Sequence, residues 1–188
     1  MPQDEQLSPE QVKQQCIFCH IIAGDVAAKK VFEDDKVVAV LDINPATPGH
    51  VLLLTKEHYA IMPQVPDDVI GHIGQVSKAC SHAMLKAMKI DGTTIFVANG
   101  MAAGQRAQHF MVHIIPRNEG DGVGVNAFEG SVLPAATMTK LSQALAPAVK
   151  KILNFEAPVT TSPQPKVEKN ETRDKPSLDD IAALLQKK

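Results

Sequence analysis

The stretch His109-Phe110-Met111-Val112-His113-Ile114-Ile115-Pro116-Arg117 leaves the chain few choices of fold. In an extended strand successive side chains point to opposite faces, so Phe110, Val112 and Ile114 go to a core while His109, Met111 and His113 line the other face. Such a strand needs neighbours to pair with and a cover for its apolar side. His109 and His113 lie four strand rises apart, about 13 Å, so they do not touch and Met111 stands between them. A histidine on a strand face reads either as a hydrogen-bonded structural residue or as a chemical group, and spacing alone favours the first.

The remaining elements supply partners and cover. Val31 to Asp42 gives two β-rich runs around Asp34-Asp35, a hairpin pattern, and after the turn cluster Asn44 to Gly49 the run His50 to Thr55 reads as a central strand. Pro66-Asp67-Asp68 opens a helix whose apolar residues recur near the 3.6 period, from Val69 and Ile70 through Ile73, Val76 and Cys80 to Met84 and Met88. Asp91-Gly92 is expected to end it, Thr93 to Asn99 to form a strand, and the Gly100 to Gln105 loop to lead into a last strand around His109 to Pro116. A further helix is expected over Pro134 to Leu153, with Pro147 kinking or interrupting it. Ser8-Pro9-Glu10-Gln11 carries the signals of a short helix before Cys16. The order β-β-β-α-β-β-α predicts an α+β fold, an antiparallel five-stranded meander sheet with a long helix and a C-terminal helix.

These elements divide the chain into an N-terminal lead over 1–15, a domain over 16–154, a flexible linker over 155–176 rich in proline and polar residues, and a short amphipathic helix over 177–188. That last helix, with Leu178, Ile181, Leu184 and Leu185 on one face, either folds back on its own domain or docks on a protein partner. With 19 Lys and Arg against 21 Asp and Glu, the chain has no global basic field for nucleic acid or anionic lipid. Neither a run long enough to cross a bilayer nor a basic, apolar leader is visible, so no membrane association and a cytoplasmic location are expected. Cys16-x-x-Cys19 suggests a metal or free thiols, and Cys80 fits a core position.

The stretch His109 to Ile115 resembles the motif of the histidine-triad (HIT) family, in which the middle histidine attacks the α-phosphate of a nucleotide. Further pieces resemble the family in order: Cys16-Ile17-Phe18-Cys19, Phe32-Glu33-Asp34-Asp35, Leu41-Asp42-Ile43-Asn44-Pro45, Pro48-Gly49-His50, Lys56-Glu57-His58, Asn99 and Ala103-Gly104-Gln105. The likeness covers about Cys16 to Arg117 and implies the HIT fold, a homodimer and a purine-nucleotide pocket.

The resemblance assigns Asp42 to the ribose hydroxyls, a pair of donors that a carboxylate accepts from, although the same residue also reads as a turn cap. It places Phe18, Ile21 and Leu41 around the base, where unaided all three read as core. Asn99 and the loop containing Gly104 meet phosphate, and Gln105 and His113 stabilise the phosphoryl oxygens. Met111 stands where the family has its nucleophile; a thioether has no proton to lose and attacks phosphorus poorly, so covalent turnover is expected to be impaired while binding survives. Zinc-bearing relatives complete the Cys16, Cys19 pair with His58 and His109, which implies a structural tetrahedral zinc and no catalytic metal. His20 and His50 stand in reserve as ligands, and His72 and His82 read as structural or exposed. Two alternatives stay open: an active hydrolase of phosphoramidates or dinucleoside polyphosphates that uses His109, His113 or water, and a nucleotide-sensing scaffold with a partner-binding tail.

Overall fold

The structure is a computed structural model that describes residues 8–124 and 133–153; the expected linker and tail helix lie outside the described residues. The chain divides into two compact units, Met1–Phe128 and Glu129–Lys188.

In the first unit, helix α1 spans Pro9–Gln15, and its start is a reciprocal cap in which Ser8 Oγ accepts from Gln11 N–H while Gln11 Oε1 accepts from Ser8 N–H at 2.7 Å. A second short helix, α2 over Ile17–Ala23, follows at once and ends on Gly24 at φ 91°. Strands β1 (Lys30–Glu33), β2 (Val37–Leu41) and β3 (Val51–Thr55) come next, then a 3-10 turn at Met62–Gln64, helix α3 (Asp67–Met88), β4 (Gly92–Phe96), a 3-10 turn at Met101–Ala103 and β5 (Met111–Arg117). The strands form one sheet in the order β1-β2-β3-β5-β4, antiparallel at every step.

The α+β class with five antiparallel strands is as expected, but the meander runs only through β1, β2 and β3. β5 takes the place beside β3 because Val112, Ile114, Ile115 and Pro116 are buried there, whereas half-exposed β4 goes to the edge. Two expected boundaries also shift. α3 ends at Met88 with Lys89 in the left-handed region at φ 53°, before the expected stop at Asp91-Gly92, and β4 stops at Phe96.

Alternation sorts the sheet into two faces. Val37, Ala39, Val51, Leu53, Phe110, Val112 and Ile114 meet Ile73, Val76 and Met84 of α3. Val38, Val40, Leu52 and Leu54 point the other way and carry Phe18, Ile21, Ile22 and Met111. Burying a side chain such as Leu53, wholly inaccessible here, stabilises by about 1.5–3 kcal/mol. The hairpin between β1 and β2 is tied to α3 through Asp34, which accepts from the Lys36 and Val37 amides at 2.9 Å and lies 2.6 Å from His72 Nε2. The turn before β3 is held by Thr47 Oγ1, which donates to the Pro116 carbonyl at 2.6 Å. Gly49, at φ 92°, is required within it, because a side chain there would meet Met88 as well as backbone strain.

In the second unit, α4 spans Ala135–Leu153 and continues through Pro147, so of the expected kink or interruption the interruption does not occur. What proline removes is one amide donor to the Gln143 carbonyl, a loss this continuous helix absorbs. Among the described residues no helix is long and apolar enough to cross a membrane.

Candidate functional site

Two clusters flank Met111 on the sheet face away from α3. The first gathers Cys16 at the junction of α1 and α2, Cys19 within α2, His58 after β3 and His109 just ahead of β5, with one ligand atom of each lying within 4.8 Å of all the others. Cys16 Sγ is 3.5 Å from His109 Nδ1, and Cys19 Sγ is 3.3 Å from His58 Nδ1 and 3.7 Å from His109 Nδ1. Ligands set tetrahedrally on zinc, at about 2.3 Å for sulfur and about 2.0 Å for nitrogen, stand roughly 3.5 Å from one another, so these spacings are the edges of such a site. His109, fully buried, has its other nitrogen 3.0 Å from the Thr55 carbonyl, which directs Nδ1 into the cluster. His58 Nε2 is buried without a hydrogen-bond partner among the described residues. Burial, reinforced by Cys16, pushes the Cys19 thiol up to about 11, and burial drives His109 down to about 4. A neutral imidazole is ready to ligate, and a divalent cation supplies the positive charge the buried thiols lack. The four residues therefore fit a tetrahedral metal. His20 does not join them; it lies exposed between Asp25, 3.0 Å away, and the Gln14 carbonyl, 2.8 Å away.

The second cluster lies along a cleft of about 390 Å³ lined by residues that include Phe18, Asp42, Gln105, Arg106, Met111 and His113. That volume is within the range of small-ligand sites, roughly 300–1,000 Å³. Met111 and His113 face it as the strand alternation predicts, although β5 begins at Met111 and not at His109. Asp42 Oδ1 accepts from Asn44 N–H at 2.8 Å, the turn-capping role, while Oδ2 lies 3.3 Å from His50 Nδ1. His50 Nε2 is 3.1 Å from His113 Nδ1, and the Phe96 ring packs against His113 at a centroid distance of 5.8 Å. Burial lowers the pKa of both histidines; in His113 the neighbouring His50 adds to this, and in both Asp42 opposes it.

The other residues singled out in the sequence divide. Phe18 lines the cleft, and Ile21 packs on the same apolar group as Met111. Leu41 does not join them: it shares the parity of Val37 and Ala39 and faces α3, beside Cys80, Met84 and Met88. Asn99 uses its oxygen to accept from Met62 N–H at 3.0 Å. Gln105 spends both amide hydrogens on the Ala60 and Ala107 carbonyls, at 2.6 and 2.8 Å, and accepts from Gly100 N–H at 2.7 Å, so it shapes the loop from Gly100 to Gly104 and has no amide hydrogen left to give a ligand. Gly104, at φ 86°, closes the 3-10 turn of that loop. Two residues were not foreseen in their roles: His50, expected only as a reserve metal ligand, and Arg106, a cation on the cleft wall that makes no ion pair among the described residues. Its place directly after the Gly104-Gln105 pair was the available signal for Arg106.

The HIT domain family matches residues 23–120, more than half of the chain. The chain belongs to the HIT domain family. Cys16, Phe18 and Cys19 precede the matched region, so the metal cluster spans its boundary. The chain is 47% identical over 108 residues to an uncharacterized HIT-like protein of Methanocaldococcus jannaschii, a match that covers 57% of this chain and 82% of that protein. It is 36% identical over 118 residues to an adenylylsulfatase of Arabidopsis thaliana, covering 63% of this chain and 60% of that one. A zinc-bound histidine triad family protein from Mycobacterium smegmatis superposes with a TM-score of 0.57 at 28% identity, over 74% of this chain and 99% of the other.

Proposed function

We propose that this HIT protein binds a purine nucleoside phosphate in the cleft beside β5 and that Met111, at the nucleophile position, suppresses hydrolytic turnover. The observation that carries the reading is Met111 itself, lining the cleft between metal-cluster His109 and cleft-facing His113. Phe18 offers an apolar wall for a base, Asp42 an acceptor for ribose hydroxyls, and Arg106 with the Gly100–Gly104 loop a cationic and amide-rich end for phosphate. Thioether attack on phosphorus yields a sulfonium adduct with no proton to give up, so the family's covalent route fails at this atom. The metal cluster, held by Cys16, Cys19, His58 and His109, takes zinc in a structural role that fastens α1, α2 and the end of β3 to the start of β5; the zinc-bound relative supports this. Free thiols in such a site suit a reducing, intracellular setting. Pairing of two copies is supported by edge strand β4, on which Ile95 and Phe96 are about half exposed.

The test is single-turnover hydrolysis of an adenosine phosphoramidate by the native chain and by Met111→His, with AMP binding titrated on both. Both chains are expected to bind AMP with similar affinity, and the histidine variant to turn over faster by roughly a thousandfold or more. Comparable turnover by the native chain overturns the reading and assigns the chemistry to His113 or an activated water.

A further inference from the structure

Phe18 stands between Cys16 and Cys19 in the sequence and between two cavities in the fold. On one side it lines the cleft beside β5, and on the other a pocket of about 280 Å³ whose walls include Cys16, His58 and Gln108. The metal cluster is therefore open to small solutes on that side: the pocket has room for several water-sized molecules, and both cysteines are half-buried. Helix α2, which carries Phe18, has seven residues, no side-chain cap and no buried residue, so its own hydrogen bonds hold it only marginally. Its place is set by Phe18, Ile21 and Ile22 resting on the sheet and by the two sulfurs meeting His58 and His109. The same two sulfurs have a second partner, each other. They lie within 4.8 Å, and rotation about the side chains brings them to bonding distance. When metal-bound both are thiolates, the form that reduces a peroxide.

We propose that Cys16 and Cys19 form an oxidation site: a small peroxide entering beside Cys16 closes the pair into a disulfide, which expels the metal and frees Phe18 from the wall of the cleft. The proposal rests on the nucleotide reading only for the ligand that the cleft then loses. The Cys16 sulfur attacks one peroxide oxygen, the O–O bond breaks, and the departing hydroxide takes a proton from solvent to become water. The Cys19 sulfur then attacks the sulfenic sulfur of Cys16, the S–O bond breaks, and a second hydroxide takes a second proton. The two sulfurs give up two electrons and the peroxide gains them. His58 and His109, two nitrogens without the thiolates, hold zinc weakly. The disulfide ties α2 to itself, where the metal tied it to the segments after β3 and ahead of β5. Cys80 packs with the core under α3, on the opposite face of the sheet, and takes no part.

The experiment treats the full native chain and Cys80→Ser, both reduced and zinc-loaded, with one equivalent of hydrogen peroxide. Zinc release is followed with a chromogenic chelator, the cysteines by mass spectrometry after alkylation, α2 by hydrogen exchange and AMP affinity by titration. Both chains are expected to form one Cys16–Cys19 disulfide for each zinc released, to exchange faster in α2 with the sheet still protected, and to bind AMP about tenfold more weakly, the loss of a base–aromatic contact. Dithiothreitol followed by zinc should restore all three. That treatment leaves a methionine sulfoxide at Met111 unrepaired, so recovery assigns the effect to the cysteines. Zinc retained after peroxide, oxidation that stops at a sulfinic acid, exchange that rises throughout the sheet, an irreversible loss of AMP binding, or an oxidised chain that binds AMP like the reduced one overturns the proposal. A reduced chain that takes up no zinc removes the structural metal and this proposal together. The zinc, disulfide and exchange arms need no nucleotide, so a reduced chain that fails to bind AMP counts against the nucleotide reading alone.

Discussion

Replacing Cys16 with serine should unfold the HIT domain earlier by an amount that the chain's own connectivity sets. Cys16 Sγ and His109 Nδ1 come within 3.5 Å across a sequence separation of 93 residues, so a metal held by both closes a loop through most of the first unit. A permanent cross-link over that length removes unfolded-chain entropy equivalent to about 4–5 kcal/mol. A dissociable ligand bond gives somewhat less, and Cys19 and His58 close loops inside the same one, so their contributions do not add. Serine is a poor zinc ligand at neutral pH and leaves His109 Nδ1 buried without its partner, which adds to the loss. The expected destabilisation is about 3–4 kcal/mol, or roughly 15 °C in Tm for a domain of this size. Thermal unfolding followed by circular dichroism, with zinc measured by elemental analysis on the same samples, reads both quantities. Native protein should carry one zinc per chain, Cys16→Ser little, the Cys16→Ser/Cys19→Ser double variant should melt close to the single one, and a chelator should reproduce the loss. A native chain free of zinc, or a single variant that melts with the native chain, would refute the argument.

Arg106 is the cation lining the cleft, while His50 and His113 are held neutral by burial, so Arg106→Gln should weaken AMP binding by about five- to tenfold and flatten its dependence on salt, measured by titration at two ionic strengths. The folded-state pKa values of His50 and His113 lie below the unfolded value near 6.5, so the folded state binds fewer protons. Stability is therefore full above about pH 6.5 and falls as pH drops below it; the urea midpoint should decline between neutral and mildly acidic pH, less steeply in His50→Gln, and equal slopes would contradict the assignment.

Much of this was readable in the residues because it is local. The 3.6 period of Val69 to Met88, the Asp34-Asp35 turn, the Ser8 to Gln11 cap and the two faces of β5 follow from neighbours a few positions apart, and the structure has each of them. What escaped depends on distant pairing. Nothing in the periodicity of β4 and β5 says which of them lies beside β3, and His50 meets His113 across 63 residues. α2 lacks a side-chain cap, and its apolar run looks the same whether helical or extended. Leu41 is a different kind of miss. Its parity with Val37 and Ala39 was visible in the sequence and points to α3, whereas the family likeness drew it towards the base. Gln105 shows the converse: its residue type is right for meeting phosphate, but the backbone carbonyls around it claim its hydrogens first.

β5 also bears on how this lineage can change. Val112, Ile114, Ile115 and Pro116 are committed to burial, Arg117 is clamped by Asp121 and Thr94, His113 is tied to His50, and His109 just ahead of the strand is enclosed in the metal cluster. Met111 alone is half-buried against Leu54 and its neighbours without a hydrogen bond or a ligand to satisfy. Along this segment it is the position where a mutation can change chemistry and leave the architecture standing, so a HIT domain that drifts from catalyst to binder has one open door here.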